Sequence, residues 1–278
     1  MRELLLNLEL ARRVELAEAQ AAVECAEALE RFRPGCGAAV RRVAGGFAVY
    51  CGKNSPITQA VGMGLDGAVS AEEFDRLEEF YRGRGEPVRV ETCPLADASF
   101  IEQFGQRGYR VTEFSNVLAR LVSPEEKFSK PPAGITIEKV GKDQIDVWTL
   151  TVSQGFAEKF PVSQELLEVM KLFALGPKTE CYLARVDGKI AGGGTLALHD
   201  GVAGLFGAST LPVARKHGVQ TALLQRRLAR ASQAGSDLAV SIAQPGTTSQ
   251  RNIVRQGFRV LYTRVKFEKT FKQPGAGF

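Results

Sequence analysis

Thr210-Leu211-Pro212-Val213-Ala214-Arg215-Lys216-His217-Gly218-Val219-Gln220-Thr221-Ala222-Leu223-Leu224 contains a change of period. Upstream, VAGLFGAST (202–210) is a β-type run; from Val219 the apolar residues recur four apart, as Val219/Leu223 and Leu224/Leu228. That spacing predicts a strand followed by an amphipathic helix, with Arg226, Arg227 and Arg230 on its solvated face. Arg215-x-x-Gly218 falls at the junction. The first amides of a helix have no intrahelical acceptor, and the helix dipole places partial positive charge there. A glycine lets an anion approach the backbone with no Cβ in the way. The stretch therefore predicts an anion cradle at the start of the helix, with Gly218 in the first helical turn and Arg215 and Lys216 adding full charges. Arg82-Gly83-Arg84-Gly85 is richer in glycine, but it follows a helix and runs into Glu86-Pro87, so it presents carbonyls.

Working outward, Asp187-Gly188 and Asp200-Gly201 separate β-rich runs in 179–210, which predicts two tight hairpins and a three-strand meander. ITIEKV (135–140) alternates as a half-buried strand does, and helical stretches follow around 143–159 and 163–175, the second capped by Ser163. After the cradle helix, which Gly235 ends, come a short strand LAVSIA (238–243), a short helix capped within Thr247-Thr248-Ser249, and RVLYTRVKFEK (259–269) as the last strand or pair of strands. The expected order is β-α-α-β-β-β-α-β-α-β.

The first half repeats this plan in outline. ITQAVGMGL (57–65) resembles the third hairpin strand, and Ser70-Ala-Glu-Glu73 is a capping box opening a helix with Phe74, Leu77 and Tyr81 on its core face. VRVETC (88–93) reads as a strand and Asp97 to Phe104 as a short helix. Gly108-Tyr109-Arg110-Val111 mirrors Gly257-Phe258-Arg259-Val260. Pro131-Pro132 closes a polar stretch that reads as a linker. The expected organisation is 1–122 as one domain, 123–133 as linker and 134–278 as a second domain.

The order strand–RxxG–helix–strand–helix–Gly257-Phe258 resembles the GNAT superfamily of acyl-CoA-dependent N-acetyltransferases, well over 134–269 and in outline over 1–122. Resemblance implies an α/β fold of two tandem GNAT-like domains, each a mostly antiparallel twisted sheet flanked by helices. It implies acetyl-CoA as co-substrate, held by Thr210, Leu211, Arg215, Lys216, His217, Gly218, Val219, Gln220 and Thr221, with pantetheine running between splayed strands 203–210 and 238–243. Gln220 stands where the family has a second small residue. The implied partner is a small amine. Related alternatives are an aminoacyl or peptidyl transferase, a mycothiol-synthase-like tandem enzyme, or a non-catalytic acyl-CoA-binding module. The first half has Leu65-Asp66-Gly67 where the cradle would be, so it is expected not to bind CoA and to serve as structure or as a pocket wall.

Catalytic residues are less marked. The strand glutamate and helix tyrosine common in the resembled family are missing, since 202–210 has no carboxylate and 249–256 no tyrosine. Tyr262 is the nearest phenol after Gly257-Phe258 and Ser249 the nearest hydroxyl; either could protonate a leaving thiolate. Glu158 lies where acceptors sit in the resembled family, and Cys181 has no motif around it to suggest a nucleophile. Composition bounds the rest. The 278 residues carry a net charge of +5, with 17 basic and 20 acidic side chains in 1–133 against 19 and 11 in 134–278. The basic surplus thus sits in the half with the cradle, and fits a phosphorylated ligand better than nucleic acid, because no basic run is interleaved with aromatics. Five cysteines without a CxxC and two histidines argue against a disulfide framework or a metal centre. Early acids argue against a signal peptide and no apolar run approaches ~20 residues; a cytoplasmic protein without membrane contact is expected, its oligomeric state left open.

Overall fold

Asp187-Gly188 and Asp200-Gly201 both adopt positive φ at each residue (47° and 77°, 46° and 78°), the requirement of a tight two-residue hairpin turn. In this computed structural model, which describes residues 4–157 and 160–271, they join β7 (Thr179–Val186), β8 (Lys189–His199) and β9 (Val202–Thr210) into the expected antiparallel meander. β6 (Ile135–Lys139) pairs antiparallel with β7. The helices α4 (Ile145–Phe156), α5 (Gln164–Leu175) and α6 (Val219–Gln233), the strand β10 (Leu238–Ala243) and the helix α7 (Thr248–Val254) follow the expected order. Ser163 caps α5 by accepting from the Leu166 amide at 3.3 Å.

Gly192-Gly193-Gly194 on β8 has a packing reason. A Cβ on Gly193 would lie 2.8 Å from the Trp148 indole nitrogen of α4, and one on Gly194 would lie 3.0 Å from the Arg227 guanidinium carbon of α6. Alternation along the strand sends these two positions to opposite faces, so each lets one helix close onto the sheet. The Trp148 indole N–H donates to the Tyr182 carbonyl at 3.1 Å. The core between sheet and α6 is built from Tyr182, Leu196, Leu205, Leu223, Leu228 and Phe258 with their neighbours.

In the first half, α1 (Leu8–Phe32) precedes the hairpin of β1 (Ala39–Val43) and β2 (Gly46–Tyr50), then β3 (Gln59–Val61), α2 (Ala71–Arg82), β4 (Val88–Thr92) and α3 (Ala98–Gln106). The Ser70–Glu73 capping box forms in both directions. Phe104 and Tyr109 pack edge to face with Phe74 and with each other, Phe100 packs edge to face with Phe104 and tilted on Phe74, and Phe267 stacks on Phe104 with ring centroids 4.2 Å apart.

Two long strands, β5 (Arg110–Leu121) and β11 (Arg259–Lys269), place the division of the chain elsewhere than the linker. One compact unit holds Val117–Leu261; the other holds Leu6–Asn116 and the chain from Tyr262 on. The strand order is β5-β10-β9-β8-β7-β6 in the former and β1-β2-β3-β4-β11-β5 in the latter. Segment 123–133 lies inside the unit of the second half, where Phe128 packs against the core and Arg120 pairs with Glu126. The last strand from Tyr262 groups with the first half, because Val265–Lys269 pair antiparallel with Val88–Thr92. No helix among the described residues is long and apolar enough to cross a membrane.

Candidate functional site

β9 ends at Thr210, and the Leu211 amide donates to the Ala191 carbonyl at 2.9 Å, which ties the end of the strand to β8. Pro212–Ala214 form one turn of 3-10 helix before Arg215. Lys216 and Gly218 then take positive φ, 69° and 84°. Gly218 is the N-cap of α6 rather than part of its first turn. The chain can reverse here only through left-handed backbone, which glycine adopts without a steric penalty. The first i→i−4 bond of the helix, from the Ala222 amide to the Gly218 carbonyl, measures 3.0 Å. The amides of Val219, Gln220 and Thr221 therefore precede the helical ladder.

Arg215, Lys216, His217, Gly218 and Thr221 are exposed, so most residues of the expected cradle face solvent, while the Val219 side chain is buried and anchors the turn. The Gln220 side chain accepts a hydrogen bond from the Asn252 amide of α7, so Gln220 links the two helices. Arg215 donates to the Thr210 and Gly155 carbonyls, each at 3.4 Å.

Beside the cradle the sheet opens. β9 and β10 are parallel partners at Val202/Leu238, Ala203/Ala239 and Gly204/Val240, and the paired register stops there. Ser241 donates to the Leu205 carbonyl at 2.9 Å at the start of the opening. Farther along, the β8–β9 register shifts between Gly193 and Thr195, and Gly207 adopts φ 52°. This is a bulge in β9, which bends the strand. Thr195 donates to the Phe206 carbonyl within the bulge. Ser209 donates to the Val152 carbonyl at 2.8 Å and fixes β9 against α4. The backbone of 205–210 thus lies past the last β9–β10 pair, and the chain runs from it through 211–215 into the amides of 216–221.

Arg227 departs from its expected place. It is 3% exposed, and its guanidinium donates to the Leu223 carbonyl (3.1 Å), the Thr195 carbonyl (2.9 Å) and, at 3.5 Å, the Phe206 carbonyl. Burial lowers its pKa to about 10, which leaves it charged at neutral pH. The expected solvated face turns toward the sheet because Gly194 leaves room for a guanidinium there. Its neighbours also turn inward: Arg230 pairs with Glu180 at 3.0 Å, and Arg226 lies 5.7 Å over the Tyr182 ring.

The proposed proton donors separate. Tyr262 belongs to the unit of the first half, where its buried hydroxyl donates to the Glu15 carboxylate at 2.6 Å. Burial and the Glu15 charge raise its pKa well above the ordinary value. The same carboxylate accepts from Arg264 at 2.9 Å, and Arg264 also reaches Glu18 at 2.6 Å. A phenol committed to a buried carboxylate is a poor acid for a thiolate, so Tyr262 is corrected to a packing and hydrogen-bonding role. Its location on a long strand shared by two units was invisible in the sequence. Ser249 is exposed in the first turn of α7; the cap is Thr247, which accepts from the Gln250 amide at 3.2 Å. Cys181 is buried, and burial pushes its thiol up to about 12, which disfavours the thiolate. Glu158 lies outside the described residues.

In the first half several groups of the corresponding turn are bonded internally. Arg12 donates to the Leu65 carbonyl at 2.5 and 2.8 Å and pairs with Asp66 at 3.2 Å. The Gly64 amide donates to the Ala44 carbonyl, the Val69 amide to Ser99 Oγ, the Ser70 amide to Glu73 and the Glu73 amide to Ser70.

Residues 146–258 match the model of the acetyltransferase (GNAT) family, and this stretch is a GNAT domain. The chain is similar in structure to a GCN5-related N-acetyltransferase from Kribbella flavida, with a TM-score of 0.66, 15% identity, and 91% of this chain and 96% of that chain covered. It is also similar to a GCN5-related N-acetyltransferase from Sphaerobacter thermophilus (TM-score 0.55, 19% identity, 71% and 66% covered). A tandem GNAT protein from the clavulanic acid biosynthesis pathway gives a TM-score of 0.55 at 14% identity, with 81% and 73% covered. At these identities the likeness is one of fold. No curated protein sequence is significantly similar to the chain.

Proposed function

We propose that the GNAT domain binds acetyl-CoA and transfers its acetyl group to a small amine, and that the chain is a tandem protein whose first half is a GNAT-like unit without a cradle. The observation that carries this reading is the start of α6, where the amides of Val219, Gln220 and Thr221 precede the helical ladder beside exposed Arg215, Lys216 and Gly218, a few residues past the part of β9 where pairing with β10 has stopped. The amides of Val219, Gln220 and Thr221, with Lys216 and Arg215 beside them, suit a pyrophosphate. The flank of β9 past Gly204, where pairing with β10 has stopped, suits a pantetheine arm laid along β9 as an added strand would be.

In the transfer, the amine nitrogen attacks the thioester carbonyl carbon, the C–S bond breaks, and the thiolate takes a proton. The bulge presents backbone amides to the developing oxyanion. The proton comes from water or from Ser249, the hydroxyl exposed at the start of α7. Since 202–210 carries no carboxylate, the amine is taken up in its neutral form or loses its proton to water.

That missing carboxylate also favours a second reading, an acyl-CoA-binding module without turnover. Mass spectrometry of ligand that purifies with the protein, followed by CoA release across a panel of amines, separates the two. Bound acetyl-CoA with amine-dependent CoA release is the expected result. Bound acyl-CoA without release by any amine would favour the module, and the absence of any acyl-CoA affinity would overturn both.

A further inference from the structure

A full positive charge is sealed inside the second half. Arg227 is 3% exposed and, among the described residues, pairs with no carboxylate; its hydrogen bonds run to the main-chain carbonyls of Leu223, Thr195 and Phe206. A buried unpaired charge is costly, and an apolar side chain of similar volume would serve the helix better. What the guanidinium touches is therefore informative.

It touches the bulge. Gly207 and Ala208 together oppose Gly194, and the missing Cβ of Gly194 leaves the space the guanidinium fills. The Phe206 carbonyl receives the Thr195 hydroxyl and Arg227 Nη1, and so points toward β8. In a trans peptide the N–H points opposite to the carbonyl. The Gly207 N–H is accordingly turned away from β8, onto the flank of β9 from which β10 has diverged. A donor and a full charge on the carbonyl end of a peptide also polarise its N–H, making it a stronger donor.

We infer that Arg227 is a positioning residue for acyl transfer: it holds the Phe206–Gly207 peptide with its N–H aimed into the opening and strengthens that N–H as a donor to the thioester carbonyl. This rests on the acyl-CoA reading above. Thr195 is its partner in the same task, and Gly194 is the residue that admits it.

The test compares Arg227→Met and Arg227→Lys with the wild type in the full-length protein. Three quantities are read: the rate of acetyl-CoA thioester cleavage, the dissociation constant for CoA, and the amide proton resonance of Gly207 without ligand. Arg227→Met is expected to slow cleavage about tenfold, a fraction of what loss of a whole oxyanion donor costs, with CoA affinity within about twofold. Arg227→Lys restores part of the rate, and the Gly207 resonance moves upfield in the methionine variant while distant amides stay in place. Wild-type cleavage with an unmoved Gly207 resonance in Arg227→Met would overturn the inference. So would equal losses in both variants that follow the folded fraction. A wild-type protein that binds no acyl-CoA would instead strike the function proposed above, and the Gly207 resonance would still decide whether Arg227 positions the peptide.

Discussion

Thr221→Glu probes the cradle with little disturbance to the fold. Thr221 is exposed at the third position of α6, three residues after the Gly218 cap. An acid there is favourable to the helix by about 0.3–1 kcal/mol, because it faces the positive end of the dipole. It can also reach back to the amide of the cap residue, as a capping box does. Both effects oppose a bound pyrophosphate. Two unit charges roughly 6 Å apart repel by about 3 kcal/mol at an effective dielectric constant near 20, and exposure and salt cut this to about 1–2 kcal/mol. Diverting one charge-assisted hydrogen bond removes about 1.5–3 kcal/mol more. Together these predict an affinity loss of about a hundredfold or greater, with the melting temperature unchanged or slightly raised. The assay is calorimetric titration with acetyl-CoA beside thermal melts, with Thr221→Gln as the uncharged control. Wild-type affinity in Thr221→Glu, or an equal loss in Thr221→Gln, would refute the reasoning. Gly218→Glu, attractive from sequence, is a poorer probe. Its φ of 84° adds about 1–2 kcal/mol of left-handed strain for any residue with a Cβ, so stability and affinity would fall together.

Tyr262→Phe should lower stability by about 1–3 kcal/mol, since Glu15 loses a buried donor, and should leave acetyl transfer unchanged; slowed turnover at an unchanged melting temperature would restore Tyr262 as an acid. Gly193→Ala should cost about 1–3 kcal/mol by overpacking, because its Cβ would lie 2.8 Å from both Trp148 and Val152; an unaltered urea midpoint would show that α4 can move away. Glu180 is partly buried, which opposes its charge, but Tyr182, Lys139 and Arg230 outweigh this and hold its pKa below the ordinary value. The unfolded chain therefore takes up the proton first as the pH falls, so the stabilisation is present above about pH 4.3 and is lost below it. The stability gap between wild type and Glu180→Gln should be wider at pH 7 than at pH 3, and a gap that widens in acid would contradict the sign.

Much of the second half is legible because its signals are local. Asp-Gly at 187–188 and 200–201, Ser163 before an apolar run, and the strand-to-helix switch at 210–219 each depend on neighbours a few residues away. The first third is harder to read. α1 buries mostly small residues and a glutamate (Ala11, Glu15, Ala19, Cys25, Ala26, Ala28), with Val14 and Leu29 the larger apolar ones, so its periodicity is faint. The turn between β1 and β2 uses Ala44-Gly45, with Ala44 at φ 50°, an unusual residue for left-handed backbone. What no local pattern could show is partnership at long range. Arg227 reads as a surface arginine until Gly194 and the bulge opposite it are known. Tyr262 reads as an acid near Gly257-Phe258 until β11 delivers it to Glu15, 247 residues earlier. The unit boundary inside β5 and β11 escapes for the same reason.

Amide hydrogen exchange, recorded with and without acetyl-CoA, tests the central claim most directly. The account predicts slowed exchange in peptides covering 205–210 and 216–221, with the turn at 62–70 unchanged, since Asp66 would repel a pyrophosphate there and the Gly64, Val69 and Ser70 amides are already bonded within the first half. Unchanged exchange across 216–221 at saturating acetyl-CoA, or protection at 62–70 in its place, would contradict it.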